Sequence, residues 1–108
     1  PTITDVNASP HTVGFGYNVT ITADVVDNGS GVDLVTVQIT FPNSVGNSSN
    51  YTMSLVSNDT YQYVFNDTWL AGQYNYTIWA TDNTNNTASS SGHHFLVDIR
   101  TRKQDDWM

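Results

Sequence analysis

Strict two-residue alternation between Gly72 and Asp82 constrains the fold of this chain more than any other feature. Successive side chains of a β-strand point to opposite faces, so one face of this segment is apolar and the other is polar apart from one tryptophan. The apolar face carries Tyr74, Tyr76, Ile78 and Ala80, and the opposite face carries Gln73, Asn75, Thr77, Trp79 and Thr81. Turn-forming residues follow at 83–86. The pattern predicts a half-buried strand of an antiparallel sheet.

The same period recurs along the chain and predicts six further strands, at 2–6, 18–26, 35–41, 51–55, 61–65 and 93–99. In the first of these, Ile3 and Val6 can share a face only across a bulge or a bend. The inward side chains predicted for the other five are Val19, Ile21, Ala23 and Val25; Val35, Val37, Ile39 and Phe41; Tyr51, Met53 and Leu55; Tyr61, Tyr63 and Phe65; and Phe95, Val97 and Ile99. Seven short strands without a helical period predict an all-β fold, a two-sheet antiparallel β-sandwich of about seven strands.

The connections between these strands are rich in Asn, Ser, Gly and Pro. Polar loops are predicted at 7–16, 43–50 and 83–92, and a hairpin turn at 57–60. Trp69 precedes the 72–82 strand and is predicted to plug the space between the sheets. Trp107 is predicted to be a tail residue.

Charge divides the chain near residue 99. Residues 1–99 contain eight Asp and no Lys, Arg or Glu, whereas Arg100, Arg102 and Lys103 carry all the positive side-chain charge. The length of 108 residues suits one domain, so we expect a sandwich at 1–99 and a charged tail or linker at 100–108. An anionic domain repels phosphate backbones, which disfavours nucleic-acid binding.

The chain has no cysteine, which excludes disulfides and thiolate metal sites. Its apolar runs are shorter than the roughly 18 residues that a membrane-spanning helix needs, so we expect no membrane insertion by this segment. No signal-peptide pattern opens it, and it starts with strand-like residues at 2–4. We expect it to be part of a longer protein whose export signals and anchors lie elsewhere.

Residues suited to catalysis are scarce. The chain has no Glu or Cys, His11 falls in a predicted loop, and His93 and His94 are not accompanied by a nucleophile motif. Adjacent histidines on a strand point to opposite faces and make a poor chelate. The pair Asp105 and Asp106 lacks the apolar setting that would raise a carboxyl pKa. We therefore expect no enzymatic activity and no required cofactor.

The sequon Asn-x-Ser/Thr is the strongest functional signal. It occurs nine times, where a chain of this composition would show about three by chance. The nine asparagines are Asn7, Asn18, Asn28, Asn47, Asn50, Asn58, Asn66, Asn75 and Asn85. Positions i and i+2 of a strand share the solvent face, which explains Asn18 and Asn75 but not the loop sites. The excess predicts N-glycosylation at several sites and an extracellular or cell-surface location.

Four aspartates near predicted turns are candidate calcium ligands. They are Asp24, Asp27, Asp33 and Asp82, and their loops are expected to meet at one end of the sandwich. Gly29 and Gly31 stand where an Asp-x-Asp-x-Asp-Gly loop would need ligands. The simpler interpretation is that these carboxylates cap turns by accepting hydrogen bonds from nearby backbone amides.

Trp79 is the candidate contact residue. Its register places it on the polar face, and Leu96 and Leu34 are candidates to join it in an exposed apolar spot. A flat aromatic side chain there suits a sugar ring or a neighbouring domain. A lone, partly covered Trp is the more ordinary interpretation.

Taken together, the strand motifs resemble those of a known repeat family. The motifs are Ile21-x-Ala23-x-Val25-x-Asp27, Ser30-Gly31-Val32-x-x-Val35-x-Val37, Met53, Tyr61-x-Tyr63, and Gly72-x-Tyr74-x-Tyr76-x-Ile78-x-Ala80-x-Asp82-x-x-x-Asn86. About residues 20–99 resemble the immunoglobulin-like, fibronectin-III-like repeats of archaeal and bacterial surface proteins. Asn85-Asn86 departs from the Gly-Asn frequent in such repeats. The resemblance implies an immunoglobulin-like sandwich that is a non-catalytic spacer, stalk or binding module.

The sequence thus predicts a structural spacer or adhesion module of an N-glycosylated surface or secreted protein. Its expected partners are neighbouring domains of the same chain, other surface proteins, or glycans. One alternative is a carbohydrate- or ligand-binding module that uses Trp79 and is appended to a secreted enzyme. Another is a linker domain that calcium rigidifies.

Overall fold

The computed structural model describes residues 1–42 and 47–102, the last four by their backbone alone. Its strands are β1 (Thr2–Ser9), β2 (Thr12–Phe15), β3 (Val19–Val26), β4 (Val32–Thr40), β5 (Ser48–Thr52), β6 (Ser54–Ser57), β7 (Thr60–Phe65), β8 (Gly72–Asp82) and β9 (Thr87–Arg102). Within the described ranges there is no helix, and hence none that could cross a bilayer.

The strands form two packed sheets. One has four strands in the order β1-β3-β7-β6, and the other has five in the order β2-β9-β8-β4-β5. Every described pair of neighbouring strands is antiparallel except β2 and β9, which are parallel. The predicted two-sheet β-sandwich is therefore confirmed, with nine strands in the described ranges rather than about seven. Without the edge strands β2 and β5, the orders β1-β3-β7-β6 and β9-β8-β4 are those of the two sheets of an immunoglobulin constant-type sandwich.

The strands with the clearest alternation have the predicted faces. On β8 the four predicted inward side chains are buried and Trp79 is exposed. On β3 every predicted inward residue is buried, because the partner sheet covers that face of the strand. β4 buries its predicted residues as far as Ile39, while Phe41 beyond its end is half-buried.

Of the bulge or bend predicted in β1, the structure has a bulge. Thr4 pairs with Asp24, whereas Asn7 pairs with Thr22, so the register shifts between them. Asp5 lies in this bulge with a φ of 52°. The extra residue turns Ile3 and Val6 toward the same side, where both pack against the core.

The prediction of a loop at 7–16 is wrong. β1 continues to Ser9, the chain changes sheets at Pro10, and β2 then pairs with β9 through Thr12–Leu96 and Val13–Val97. Pro10 has no N–H to donate, so the hydrogen-bonded pairing of β1 with β3 ends before it. The chain then pairs with β9 in the other sheet.

The single strand predicted at 51–55 is in fact two strands in different sheets. β5 pairs with β4, and β6 pairs with β7. Met53 lies buried at the crossover. Leu55 is 56% exposed, so its predicted inward position is wrong: the crossover places it on an edge strand that the opposite sheet does not cover. The hairpin between β6 and β7 is confirmed.

The prediction of a loop at 83–92 is also wrong. Only a tight turn separates β8 from β9, and the pairs Thr81–Thr87 and Trp79–Ser89 continue the ladder. The segment is polar because one face is solvated, while Ala88 faces Ala80 on the inner side. The ladder shifts register between Tyr76 and Ile78.

β9 extends beyond the expected domain boundary at residue 99, with its backbone in the sheet as far as Arg102. Phe95 and Val97 are buried as predicted. The side chain of Ile99, most of the predicted tail and Trp107 lie outside the described residues.

Aromatic rings bridge the sheets at the end of the sandwich where β7 finishes. Phe65, from the four-stranded sheet, lies 5.8–5.9 Å from each of four other rings, measured between centroids. Those rings belong to Phe41, Tyr51, Tyr74 and Phe95. Buried rings in tilted or edge contact add to the stabilisation from their buried area. Because the chain has no cysteine, contacts of this kind must hold the two sheets together without a disulfide.

Tyr74 holds the connection between β7 and β8 in place through two hydrogen bonds. Its hydroxyl donates to the Leu70 carbonyl at 2.8 Å and accepts from the Leu70 N–H at 3.3 Å. Such a bond from a Tyr to backbone a few residues upstream is the tyrosine corner of immunoglobulin-like domains. Burial, partly offset by the Leu70 bond, raises the pKa of Tyr74.

Trp69 does not plug the space between the sheets. It is 54% exposed, and its ring lies over Gly16, where a Cβ would fall 2.4 Å from the indole. The neighbouring Thr68 takes the buried position, and its hydroxyl donates to the Tyr17 carbonyl at 2.8 Å. The short Thr68 side chain fits in the buried position with its hydroxyl hydrogen-bonded. The larger Trp69 side chain lies outside it, over the end of the sandwich.

Candidate functional site

All nine sequon asparagines are exposed. Three lie in the turns at the end of the sandwich where β3, β6 and β8 finish: Asn28, Asn58 and Asn85. Three lie at the opposite end: Asn18, Asn47 and Asn66. The remaining three lie on strands β1, β5 and β8: Asn7, Asn50 and Asn75. The sites are therefore spread over both ends and both sheets.

Two of these asparagines also have a local structural role. Asn58 and Asn85 have φ values of 42° and 69°, in the left-handed region that Asn tolerates better than most residues. Turn geometry therefore accounts for an Asn at two loop sites that strand alternation leaves unexplained. It does not account for the Ser or Thr two residues later.

The hydroxyl residue of one sequon is inaccessible in the folded protein. Thr68, which completes the sequon of Asn66, is fully buried. The hydroxyl residues of the other eight sequons are exposed or half-buried. An enzyme that recognises both Asn66 and Thr68 can reach the pair only before this part of the chain folds.

Trp79 lies in the middle of the solvent face of the five-stranded sheet. It is 41% exposed, and it pairs with Thr36 on β4 and Ser89 on β9. Its indole N–H donates to the Gln38 side-chain oxygen at 3.3 Å. The ring is thus held by one weak hydrogen bond among small polar neighbours.

The two leucines predicted to join Trp79 lie at different distances from it. Leu34 pairs with Thr81, one step along the same face of β8, and is exposed. Leu96 pairs with Gln73, six residues from Trp79 along β8. The sheet therefore places Leu34 near Trp79 and Leu96 well away from it, so the three side chains form no single apolar patch.

The candidate calcium ligands are engaged separately. Asp24 accepts from the Thr60 hydroxyl at 2.6 Å, Asp27 accepts from the Gly29 N–H at 2.8 Å, and Asp33 is exposed on β4. Within the described part of the chain, no three His, Cys, Asp or Glu side chains are arranged to hold a metal ion. The geometry favours turn capping for Asp27.

Asp82 also caps a turn, and it accepts more hydrogen bonds in this role than Asp27 does. It is buried and accepts hydrogen bonds from the backbone N–H groups and side chains of Thr84 and Asn86 at 2.9–3.0 Å. Burial alone would raise the pKa of Asp82, but these four bonds outweigh it and hold the pKa well below its usual value. The carboxylate is an ionised cap that fixes the β8–β9 turn.

The histidines lie around a small cavity of about 220 Å³ between β1 and β9. His93 faces inward, where it stacks on Tyr76 and its Nε2 lies 2.7 Å from the Ser90 hydroxyl. Burial lowers the pKa of His93. His94 faces outward, so the two adjacent histidines point to opposite faces as predicted, and its ring lies 4.9 Å from that of His11. The lowered pKa favours the neutral imidazole, and packing accounts for the position of His93.

An aromatic cleft is the feature that the sequence did not reveal. It is open, has a volume of about 700 Å³, and lies at the end of the sandwich that carries Asn18 and Asn66. Tyr51 from one sheet and Tyr63 from the other stack within it, with centroids 4.6 Å apart and planes at 19°. Trp69 forms a further wall. Burial, then the nearby Tyr51, raises the pKa of Tyr63.

The sequence alone gives no signal for this cleft, because its lining depends on which strands belong to which sheet. Its walls come from β5, β7 and the connection before β8, and the sequence placed residues 51–55 in one strand. Tyr51 and Tyr63 meet only because β5 and β6 belong to different sheets.

Comparison with models of known protein families gives no match, and comparison with curated proteins gives none.

Proposed function

We propose that this domain is a non-catalytic structural spacer or adhesion module in an N-glycosylated cell-surface or secreted protein. The observation that carries the proposal is the exposure of all nine sequon asparagines. A glycan is bulky and strongly hydrated, so it can be carried only where the Asn side chain reaches solvent. A single sequon Asn in the core would have weakened the proposal.

The arrangement of the strands supports a spacer. β1 starts and β9 ends at opposite ends of the sandwich, because β1 runs antiparallel to β3 and β9 antiparallel to β8. Domains with this geometry can follow one another in a line. Sugars at both ends and on both sheets would hydrate and shield such an array, which has no disulfides to hold it together.

A binding module that uses Trp79 is the second candidate, because its ring is 41% exposed on a flat polar sheet face. We expect Trp79→Ala to lower the free energy of unfolding by no more than about 1 kcal/mol, since only cross-strand contacts are lost. We also expect the unmodified domain to retain no glycan above background on an array, with or without the substitution.

The matched control for Trp79→Ala is Thr77→Ala, which alters the same face of β8 two residues away. A glycan that the domain and the Thr77 variant retain, and the Trp79 variant loses, would reject the spacer in favour of the binding module. For the glycosylation itself the chain supplies internal controls, because Asn83 and Asn86 are exposed but lie outside any sequon.

A further inference from the structure

Two sequon asparagines share the aromatic cleft. Asn18 precedes β3 and Asn66 follows β7, and because Val19 pairs with Phe65, the two asparagines leave the sheet side by side. Both line the cleft, together with Tyr51, Tyr63 and Trp69. The other seven sequon asparagines, all within the described ranges, lie outside this lining.

The cleft has the chemistry of a saccharide site. Aromatic faces pack against the C–H face of a pyranose ring, and amide or carboxylate groups bond its hydroxyls. Here Trp69 supplies an exposed ring, and Asp67 lies at the rim with the two asparagines. The Trp69 ring is seated on Gly16, whose missing side chain leaves the space that the indole occupies.

The geometry points to a saccharide site that receives the chain's own sugar: the first residues of a glycan linked to Asn18 or Asn66 pack in this cleft against Trp69. The inference rests on the proposed glycosylation. The cleft is wide and open, so a free sugar would gain few contacts. A sugar attached at the rim has an effective concentration on the order of millimolar, which is sufficient for a weak stacking contact.

The test uses the glycosylated protein and the proton spectrum of its core sugars. Sugar protons above an aromatic ring are shifted upfield, so we expect shifted core-sugar signals at Asn18 or Asn66. Trp69→Ala should abolish the shift. Trp79→Ala, which removes an exposed Trp from a sheet face away from the cleft, should leave it unchanged. A second variant pair, Asn18→Gln and Asn66→Gln, assigns the shifted signals.

The outcomes separate this inference from the proposal on which it rests. If Asn18 and Asn66 carry sugar whose signals are unshifted, or whose shift survives Trp69→Ala, the cleft inference is wrong and the glycosylated spacer stands. If Asn18 and Asn66 both carry no sugar while other sequons do, the cleft inference is again wrong and the glycosylated spacer again stands. Free N-acetylglucosamine should bind the unmodified domain with a Kd of about 1 mM, comparable to the effective concentration of the attached sugar. Tighter binding that Trp69→Ala abolishes would instead mean that the cleft takes an external saccharide.

Discussion

Replacing Phe65 with alanine is expected to lower the free energy of unfolding by about 3–5 kcal/mol. The side chain is 1% exposed and contacts four rings from the opposite sheet or its flank. Its loss would leave a cavity between two sheets that no disulfide joins. Domains of this size are stable by about 5–15 kcal/mol, so the change removes a large part of the total. Urea unfolding followed by circular dichroism measures it.

Val64→Ala is the control for this substitution. Val64 is the adjacent residue of β7, but it points to solvent, so we expect a loss below about 1 kcal/mol. If Phe65→Ala cost no more than Val64→Ala, the aromatic cluster would not be what holds the sheets together.

Gly72→Ala is expected to cost about 2–4 kcal/mol, from backbone strain and overpacking together. Gly72 opens β8 with a φ of 130°, which side-chain-bearing residues rarely adopt. A Cβ at this position would lie 2.8 Å from the Cβ of Pro42, in a buried and rigid ring. Thermal unfolding of the variant should show a correspondingly lower midpoint.

Two other glycines separate the contributions to this effect. Gly92 has a φ of 82°, but no described atom lies within 4 Å of the point where an alanine Cβ would fall. Gly92→Ala therefore introduces backbone strain without a steric clash, and we expect it to lower the free energy of unfolding by about 1–2 kcal/mol. Gly29 has no positive φ, and the nearest described atom to its Cβ position is 3.4 Å away, so Gly29→Ala should change stability by less than about 1 kcal/mol. Equal effects at all three glycines would contradict this assignment.

Alternation predicted the strands that are buried on one face. β3, β4 and β8 carry apolar side chains at every second position, and a shift of one residue would have exposed all of them. A bulge or bend in β1 was predictable for the same reason, since Ile3 and Val6 cannot otherwise share a face. Where one sheet face must be covered by another, the sequence determines the register.

Edge strands and polar strands were not predictable in this way. β2 is four residues long and β6 has no buried side chain, so neither shows a periodic apolar signal. The first part of β9 is Ser-rich and is held by pairing with β8 rather than by its own propensity. Backbone hydrogen bonds to a neighbouring strand fix these segments, and a single sequence does not reveal that partner.

The same distinction applies to the candidate site, where some residues could be predicted from the sequence and others could not. The sequons and the solvent-facing position of Trp79 follow from residue spacing, and Trp79 is exposed on β8 as predicted. Asn7 and Asn50, however, lie on strands β1 and β5 rather than in the predicted loops, because polar edge strands show no apolar period. The aromatic cleft depends on the crossover at Met53, which brings Tyr51 of β5 against Tyr63 of β7. Because this crossover shows no local pattern, the residues that line the cleft gave no signal in the sequence.

Site-by-site glycopeptide analysis of the protein from its native source tests the central claim most directly. We predict sugar on several of the nine sequon asparagines, including loop sites such as Asn28 and Asn47. We predict none on Asn83 or Asn86, which are also exposed. Unmodified asparagine at all nine sequons would contradict the glycosylated spacer and reduce the sequon excess to strand and turn composition.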